Sequence, residues 1–233
     1  MGFSINNDLK ERVIANNFLF DMAVLFENAR FFIFNITSVS GKGNSVRKES
    51  SAIFRKVKIK VKGNRNNVVV GKRCRLRKVN IQVNGNDNKI IISDKVNFME
   101  SGSFLIEGNN CEIFIGENTL FREAKLFAGE SNTSIKIGKN CFCGVVNFST
   151  SDFHSIVDAE SGERINKPDN ILIGDNNWIT TDIKIRKGTV ISNNSVIGSN
   201  SLVNKKFLKS NVIITGQPAR IVRENIYWSK EKL

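Results

Sequence analysis

The chain contains a single histidine, His154, which lies in a polar stretch rich in acidic and small side chains. Imidazole is the side chain best suited to accept a proton near neutral pH, so His154 is the first candidate for a general base. Asp152 and Asp158 flank it, which would allow a Ser-His-Asp arrangement. The Gly-x-Ser-x-Gly turn that exposes a serine nucleophile is absent, so we expect no covalent serine mechanism. Since a lone histidine is often structural, its surroundings must decide between the two roles.

The four cysteines give no sign of a metal site. They stand at Cys74, Cys111, Cys141 and Cys143 and include no Cys-x-x-Cys pair. A single histidine cannot complete a His-rich zinc site either, so we expect no bound metal. The pattern is typical of buried, reduced thiols in a cytoplasmic protein.

A six-residue repeat starts at Ile173, just after the stretch that contains the histidine. It reads IGDNNW, ITTDIK, IRKGTV, ISNNSV, IGSNSL and VNKKFL, with Ile or Val first and a mostly small or polar fifth residue. A period of six matches neither the 3.6 residues of a helix turn nor the alternation of a hairpin. It predicts short strands separated by turns, three to an 18-residue coil, with aliphatic side chains stacked between coils.

The sequence before this repeat has a looser period of 22 or 23 residues. Alternating runs there have their last aliphatic residues at Val70, Ile92, Ile115 and Ile137. Gly-Asn pairs at 63–64, 85–86 and 108–109 precede three of the runs. Asn and Gly tolerate the positive φ that tight turns need. We interpret these segments as coils of the same kind with an enlarged turn.

Residues 151–170 interrupt the repeat. The interval from Ile137 to Ile173 is 36 residues, twice the length of a regular coil, but this stretch is polar and follows no hexad pattern. We therefore predict one regular coil and one protruding loop, which carries His154. Loops of this size inside a regular scaffold are usually functional or disordered, so the location favours a functional role for the histidine.

The predicted fold class is an all-β solenoid with helical ends. We assign residues 1–40 to an N-terminal helical segment, with a Phe- and Leu-rich helix over 5–34, residues 41–217 to the solenoid and residues 218–233 to a C-terminal helical tail. No run of 18 apolar residues indicates a transmembrane helix. The N-terminus lacks the features of a secretory signal, so we expect a cytoplasmic chain.

Five segments resemble the hexapeptide-repeat acyltransferases, and within them a bacterial polysaccharide O-acetyltransferase subgroup. In order, they are SDFHSIVDAESGERIN (151–166), ILIGDNNWI (171–179), IRKG (185–188), SVIGSNSLVNK (195–205) and ITGQPARIVRENIYW (214–228). The resemblance implies a left-handed parallel β-helix, acetyl-CoA as cosubstrate, no metal and no covalent acetyl-enzyme. Residues 60–150 resemble only the looser N-terminal coils of the same subgroup.

The same resemblance implies roles for the catalytic residues. His154 would be the general base that removes a proton from a sugar hydroxyl while the oxygen attacks the thioester carbonyl. Asp152, or equally a backbone carbonyl, would orient the imidazole. Trp178 would line the pantetheine channel and support the oxyanion through its indole N–H. The family's glycine two residues after this tryptophan is Thr180 here, which alters that contact.

The resemblance also implies residues that bind the two substrates. Besides Trp178, those expected to contact CoA are Thr180, Ser199, Asn204, Lys205 and Arg220, with Lys205 near a phosphate and Arg220 at the nucleotide end. Arg164 and Asn166 match the family's Arg-Ile-Asn and would shape the acceptor site. A homotrimer is implied, with each active site between neighbouring prisms, so that His154 and part of the CoA site come from different chains.

The net charge of the chain is concentrated in one segment. The sequence has 35 Lys and Arg against 22 Asp and Glu, a net charge of +13, and residues 42–78 alone hold 14 basic residues and one acid. The strictly alternating run at 56–62 predicts a β-strand with its aliphatic residues inward. The outward residues would be Lys56, Lys58, Lys60 and Lys62.

This basic row is either a solvated face or the binding site of an anionic partner. An acidic polysaccharide acceptor would lie along a row of cationic sites. An anionic membrane would attract the same row beside the aromatic helix at 5–34, which would place the protein at the periphery of the inner membrane. Nucleic acid is not expected, because no base-stacking aromatic residues alternate with the charges. Since the row lies far along the chain from residues 151–170, we expect a docking surface separate from the chemistry.

The predicted function is acetyl-CoA-dependent O-acetylation of a bacterial surface polysaccharide, in particular an acidic capsule. Two alternatives stay open: acetylation of a small nucleotide sugar or amino sugar, and a non-catalytic solenoid that binds glycans or membrane. His154, Trp178 and the Gly-Gln-Pro-Ala-Arg segment at 216–220 favour an enzyme, because a pure scaffold has no need of them.

Overall fold

The computed structural model describes residues 22–27, 29 and 34–231. Almost all of this chain consists of short parallel strands that coil into a β-helix, with one strand of an eight-stranded sheet in each coil. The predicted fold class, an all-β left-handed parallel β-helix, is confirmed. Residues 22–27 are helical.

The strands are short because each coil must turn a corner after every few residues. In chain order they are β1 (Ile36–Ser40), β2 (Ser45–Lys48), β3 (Ile53–Arg55), β4 (Lys58–Lys62), β5 (Asn67–Val70), β6 (Arg75–Arg77), β7 (Val79–Asn84), β8 (Lys89–Ile92), β9 (Asn97–Glu107), β10 (Glu112–Ile115), β11 (Leu120–Ala128), β12 (Ser134–Ile137), β13 (Phe142–Ser149), β14 (Ile171–Ile173), β15 (Trp178–Ile179), β16 (Ile183–Arg186), β17 (Val190–Ile191), β18 (Val196–Ile197), β19 (Leu202–Val203), β20 (Lys206–Phe207), β21 (Ile213–Gly216) and β22 (Ala219–Arg223). All neighbouring strands pair in parallel except β21 with β22.

The coils form a prism with three faces. Face 1 contains β3, β6, the first residues of β9, β11 and β13, and then β15, β18 and β21. Face 2 contains β1, β4, β7, the last residues of β9, β11 and β13, and then β16 and β19. Face 3 is the sheet of β2, β5, β8, β10, β12, β14, β17 and β20. We call the edge between faces 1 and 2 the tail corner and the edge between faces 2 and 3 the loop corner.

Aliphatic side chains stack inside the prism because successive coils pair in register. The column on face 3 consists of Val70, Ile92, Ile115, Ile137, Ile173, Ile191 and Phe207, all of them buried. In the hexads, Ile179 pairs with Ile197 and Ile185 pairs with Val203. Burying one such side chain stabilises the fold by roughly 1.5–3 kcal/mol. Both predicted repeats are therefore confirmed as stacked coils.

Asparagine ladders occupy the enlarged turns of the longer coils. Asn86 Oδ1 accepts a hydrogen bond from the backbone N–H of Asn64 at 2.8 Å, and Asn109 Oδ1 accepts one from Asn86 at 2.8 Å. Gly85 has a φ of 134°, and a Cβ there would lie 1.9 Å from the carbonyl oxygen of Gly108. The close stacking of these turns explains why the sequence repeats Gly-Asn.

The β-helix begins earlier than predicted. Residues 36–40, assigned from sequence to the helical segment 1–40, form β1 and pair along their whole length with β4. The edge of β4 exposes backbone N–H and carbonyl groups, and a strand of five residues hydrogen-bonds to them in register, which a helix could not do. The boundary predicted at residue 41 is therefore wrong.

The described helical residues cover the open start of the core. Val24 is buried against Ile53 of β3, and Glu27 forms an ion pair with Arg55 at 2.8 Å. The remainder of the helix predicted over 5–34 lies largely outside the described residues. None of the helices in the described ranges combines the length and the apolar character that crossing a membrane requires.

The helical tail predicted over 218–233 is wrong. Residues 219–223 form β22, which pairs antiparallel with β21 of the last coil. The pairing satisfies backbone groups that the final parallel strand would otherwise expose, and this outweighs the local helix preference. The chain up to residue 231 then continues without helix, and Trp228 Nε1 donates to the carbonyl oxygen of Asn176 at 2.7 Å. The tail is thus a strap across face 1.

The basic row differs from its prediction at one position. Ile59 and Val61 of β4 are buried, and Lys58, Lys60 and Lys62 are exposed on face 2, as the alternation predicts. Lys56 is not in the strand, because it occupies the turn at the tail corner with a φ of 58°. The row is therefore three lysines on β4 with a fourth at the edge of the face.

The cysteines are buried free thiols, as predicted. Burial raises the pKa of Cys74 to about 12 and that of Cys141 to about 11, and it also raises the pKa of Cys143. Because thiolates are the reactive form, these side chains pack the core and do no chemistry at neutral pH.

Candidate active site

Residues 151–170 leave the β-helix at the loop corner, where the protruding loop is predicted. The loop starts after β13 and returns to β14, and the backbone N–H of Asp169 donates to the carbonyl oxygen of Thr150 at 3.1 Å to close its base. A single antiparallel bridge between Val157 and Arg164 joins its two arms. The loop therefore has a fixed base and a paired middle, which is the support that a catalytic side chain needs.

A stacked pair of phenylalanines sets the direction of the loop. The ring of Phe153 lies over that of Phe127, with centroids 4.3 Å apart and planes 9° from parallel. Phe127 points outward from face 2, but the loop leaves it only 8% exposed. A Cβ at Gly129 would lie 2.3 Å from this ring, so glycine makes room for it. The segment around His154 consequently lies back over face 2.

A carboxylate from the preceding coil holds the returning arm of the loop. Glu130 accepts hydrogen bonds from Arg164 Nη1 and Nη2 at 2.6 and 2.7 Å, and the Ser151 hydroxyl donates to the same carboxylate. The hydrogen bonds from Arg164, then the one from Ser151, lower the pKa of Glu130 to about 2. A bidentate pair of this kind fixes geometry as well as adding binding energy.

Asn166 joins both arms around the histidine. Its Nδ2 donates to the carbonyl oxygen of His154 at 2.7 Å and to Asp152 Oδ2 at 3.1 Å. Its Oδ1 accepts from the backbone N–H of Ile156 at 2.7 Å and from Arg164 Nε at 3.2 Å. Asn166 is only 8% exposed, and its hydrogen bonds hold the backbone at His154 and at Ile156. Its amide is therefore engaged inside the loop and does not face an acceptor.

Asp152 belongs to the same hydrogen-bonded cluster as Asn166. Lys187 Nζ donates to its carboxylate and also to the carbonyl oxygen of Asn166 at 2.8 Å. The hydrogen bond from Lys187 is the main cause of the lowered pKa of Asp152. Within the described chain no hydrogen bond joins this carboxylate to the imidazole of His154. The contact between the two residues is through the backbone, where the N–H of His154 donates to the carbonyl oxygen of Asp152 at 2.9 Å.

His154 itself is exposed while its backbone is held. Its N–H and its carbonyl oxygen are both bonded within the loop, and none of the hydrogen bonds in the described residues uses its imidazole. An exposed imidazole on a fixed backbone suits a group that must reach a hydroxyl and take its proton. A structural histidine would be expected to bury or bond its ring, so the surroundings favour the catalytic role.

Trp178 lies on the outer side of face 1. It is 36% exposed, pairs with Phe142 and Val196 on neighbouring coils, and has its ring centroid 6.0 Å from that of Trp228 in the tail strap. Lys230 Nζ lies 5.7 Å from the Phe142 ring centroid, on the same surface. The strap therefore adds an aromatic and a cationic side chain beside the tryptophan.

Three of the predicted CoA residues lie together at the tail corner. The Ser199 hydroxyl donates to Thr180 Oγ1 at 3.1 Å, and Arg220 pairs with Thr215 of the next coil. A Cβ at Gly144 would lie 2.3 Å from the carbonyl oxygen of Thr180. Glycine is therefore required at 144 by the backbone of the next coil, whichever residue stands at 180.

The other two predicted CoA residues lie at the loop corner. Asn204 and Lys205 are exposed and follow β19, in which Val203 pairs with Ile185. The Nζ of Lys205 lies 5.8 Å from the ring centroid of Phe207.

The predicted site residues therefore fall into two groups within one chain. Asp152, His154, Arg164 and Asn166 form the loop group, and Trp178, Thr180, Ser199 and Arg220 form the tail-corner group. The two groups lie at opposite edges of face 2, with Thr180 of the tail-corner group level with Gly144 of β13 and the loop group after Ser149. Separately, a groove of about 600 Å³ runs along face 3 past Val69, Ile91 and Phe114, and includes neither group.

Three residues of the site have no role in the sequence prediction. Lys187 stands in the Ile-Arg-Lys-Gly segment, and Trp228 stands in the last of the five family segments. Glu130 lies outside all five, but it precedes Asp152 by 22 residues, the period of the early coils. That period is the signal that would have placed Glu130 beneath the base of the loop.

The loop should open in acid, and Glu130 should be responsible for most of the effect. A carboxyl with a lowered pKa stabilises the folded form above its ordinary pKa, and this is lost as pH falls toward the folded value. For Glu130 the window runs from its ordinary 4.5 down to about 2. The protection factors of residues 151–170, which correct for the intrinsic pH dependence of amide exchange, should fall as pH is lowered across that window in the wild type. In Glu130→Gln they should be low already at pH above 4.5, with a small residual pH dependence from Asp152. An unchanged pH dependence in the variant would contradict the assignment.

The chain matches no protein-family model. It is 32% identical over 195 residues to the polysialic acid O-acetyltransferase of Neisseria meningitidis, which covers 83% of this chain and 89% of that protein. The crystal structure of the polysialic acid O-acetyltransferase OatWY superposes with a TM-score of 0.74 at 28% identity, over 85% of this chain and 92% of that one. The polySia-specific acetyltransferase NeuO shares the fold, with a TM-score of 0.69 at 24% identity, over 85% and 90% of the two chains.

Proposed function

Since this chain belongs to the hexapeptide-repeat acyltransferases, in the subgroup of bacterial capsular polysaccharide O-acetyltransferases, we propose that it acetylates an acidic polysaccharide with acetyl-CoA as donor. The observation that carries the proposal is an exposed His154 on a backbone held at both ends. The relative from Neisseria meningitidis is named for polysialic acid, which is a polyanion, and the three exposed lysines of β4 suit an acceptor of that charge.

The proposed reaction is a direct transfer. The hydroxyl oxygen of the sugar attacks the thioester carbonyl of acetyl-CoA, and His154 takes the hydroxyl proton as the bond forms. The C–S bond then breaks, and the proton passes from His154 to the departing thiolate, so the products are the sugar ester and free CoA. Deprotonation must accompany attack, because a sugar hydroxyl is far too weak an acid to ionise beforehand. Asn166 and Lys187 act by holding the loop, and touch neither substrate.

The tail-corner group is the proposed CoA site. Trp178 offers a half-exposed aromatic surface and an indole N–H, and Thr180 and Ser199 offer hydroxyls on adjacent coils. Arg220 is exposed beside them and suits a phosphate. Asn204 and Lys205 are at the other corner, so they would meet a CoA molecule only if it came from a neighbouring chain.

We place this chain in a homotrimer for the same reason. The catalytic loop and the tail-corner group lie at opposite edges of face 2, so one chain alone does not bring them together. A neighbour whose face 1 is opposite the loop of the first chain would complete the site. We also propose a cytoplasmic location at the periphery of the inner membrane, where acetyl-CoA and a growing capsule polymer are both available.

The proposal is tested by the release of free thiol from acetyl-CoA. Purified protein should release CoA when polysialic acid is added, and should not do so with a neutral dextran of similar length. Release that requires a nucleotide sugar or free amino sugar, with none on any acidic polymer, would show that the acceptor is a small molecule. Release of no thiol with any of these acceptors would refute the proposed acetyl transfer.

A further inference from the structure

The lysine row and the catalytic loop share one face of the prism, although about 90 residues separate them in the chain. Lys60 of β4 pairs with Gln82, Gln82 with Leu105, and Leu105 with Phe127. Phe127 is the residue on which Phe153 of the loop stacks. The sequence-based expectation of a docking surface separate from the chemistry is therefore wrong, because coiling brings distant segments onto the same face.

The distance between the two features follows from the strand spacing. Three inter-strand steps separate Lys60 from Phe127, and three spacings of roughly 4.8 Å amount to about 14 Å. His154 follows directly after Phe153, so it lies at the end of this column. A chain that crosses the coils at right angles to the strands would pass from the lysine row to the histidine over a few sugar units.

Further cations continue the row toward the loop. Lys58 pairs with Asn80, and the same outward column continues through Ser103, Lys125, Asn147 and Lys184. Lys125 and Lys184 are both exposed, and Arg186 lies two residues after Lys184 on the outer side of β16. The acids on the outer side of this face are Glu107, in the column of Lys62, and Glu123. Cations are thus in excess along the whole face.

These lysines also lack carboxylate partners, unlike lysines elsewhere. Among the described residues, none of the ion pairs includes Lys58, Lys60, Lys62, Lys125 or Lys184. On face 3, by contrast, Lys136 is paired with Glu112 at 2.7 Å, and in the turns between faces 3 and 1 Lys95 is paired with Glu117 at 2.8 Å. Face 2 therefore keeps its positive charge available for a partner, at the cost of repulsion within the row.

We propose that face 2 is an acceptor lane, on which an anionic polysaccharide lies across the coils from the β4 lysines to His154. The inference rests on the proposed function and adds the path and the direction of the acceptor. The lane makes binding depend on acceptor length, because an acceptor held at His154 must extend past Phe127 and then about 14 Å further across the coils before it contacts the β4 lysines. A flat anionic membrane suits this face less well, because the loop stacks on face 2 at Phe127 and interrupts the flat surface that a bilayer would contact.

The test compares two triple variants on long and short acceptors. The lane variant is Lys58→Glu, Lys60→Glu and Lys62→Glu, and the control is Arg75→Glu, Arg77→Glu and Lys89→Glu. The control residues are exposed, lie in neighbouring coils on faces 1 and 3, and change the charge by the same amount. The lane variant should raise KM for long polysialic acid by about tenfold or more, because the charges that concentrate the polymer are reversed. KM for a short oligomer, and both values in the control, should stay within about twofold.

A second variant tests the direction of the lane. Lys125→Glu with Lys184→Glu should weaken acceptors too short to reach β4, since these lysines lie nearer to the loop. The shortest oligomer sensitive to this pair should therefore be shorter than the shortest one sensitive to the β4 triple. The reverse order, or equal losses on long and short acceptors, would overturn the lane.

Binding measurements separate failure of the lane from failure of the proposed function. Fluorescently labelled polysialic acid should bind wild type and the control triple alike, and should bind the lane triple at least about tenfold more weakly. If wild type acetylates no acceptor but this binding difference appears, the lane stands and the proposed function fails. If the lane triple binds the polymer like wild type but loses binding to vesicles with anionic headgroups, the row is a membrane surface and the lane is refuted.

Discussion

Replacement of His154 by alanine should lower kcat for acetyl transfer by about 10²–10⁴-fold, which is the usual contribution of a positioned general base. The side chain is exposed and none of the described hydrogen bonds uses its ring, so the fold should not depend on it. The melting temperature and the affinity for CoA should consequently equal those of the wild type. Stopped-assay rates with saturating acetyl-CoA and acceptor measure the effect.

The matched control for this prediction is Glu160→Ala. Glu160 is an exposed residue of the same loop whose carboxylate takes part in none of the described hydrogen bonds. Its removal should leave kcat within about twofold, as is usual for surface substitutions away from a site. Equal turnover by His154→Ala and wild type on a working acceptor would remove the histidine from the mechanism.

Replacement of Asn166 by alanine should lower kcat by about 10²-fold while His154 is still present. The substitution removes the two donors that hold the carbonyl oxygen of His154 and the carboxylate of Asp152. It also removes the acceptor for the N–H of Ile156. A shift of the histidine by about 1 Å is enough for a loss of this size. We therefore expect Asn166 to act as a positioning residue, and kcat measured at saturation is the quantity to compare.

The split between kcat and KM distinguishes positioning from a general loss of structure. KM for acetyl-CoA should not change, because the tail-corner group lies at the other edge of face 2. The melting temperature of the β-helix should also be close to that of the wild type, since the loop lies outside the stacked core. Asn166→Asp keeps the acceptor for Ile156 but turns an oxygen toward Asp152 and the carbonyl oxygen of His154 in place of the two donors, so kcat should fall at least as far as in the alanine variant. A parallel fall in kcat, CoA affinity and melting temperature would mean that Asn166 only supports the fold.

The coils were predictable because inward aliphatic residues recur at a fixed interval. Ile173, Ile191 and the earlier Val70 and Ile92 carry the period in their own spacing, and the paired registers follow it. The ends were not predictable in the same way. Ile36–Ser40 and Ala219–Arg223 became strands because unpaired edges of the first and last coils accept them, and the sequence of a segment does not state which edge it will meet.

The location of His154 on a protruding loop was predictable from the sequence, whereas the contacts around it were not. His154 stands out by its type and by the loop that carries it, whereas Asp152 looked like its partner from proximity in sequence alone. In the structure that carboxylate accepts a hydrogen bond from Lys187, which lies 35 residues later and one coil away. Glu130 likewise reaches the loop from the preceding coil. Which side chains meet across stacked coils depends on the exact number of residues in each turn. The spacing of a motif within one segment carries no information about the turns of the neighbouring coils.

The position of the lysine row was likewise not predictable from distance along the chain. Distance along the chain suggested that residues 56–62 were remote from the loop, but each coil returns the chain to the same face about 4.8 Å away. The parity of the alternation decides which side chains face outward, and the longer turns preserve it from Lys60 to Phe127. A periodic fold must therefore be compared by face and not by sequence distance.

The most direct test of the proposed function is to follow an isotopically labelled acetyl group. Polysialic acid incubated with acetyl-CoA labelled in the acetyl carbonyl and with wild-type protein should acquire an O-acetyl ester, seen by NMR as a labelled carbonyl bonded to a sugar oxygen. The same incubation with His154→Ala should give little or no ester. A labelled ester that forms equally with both proteins, or a label that never enters an acidic polysaccharide, would contradict the account.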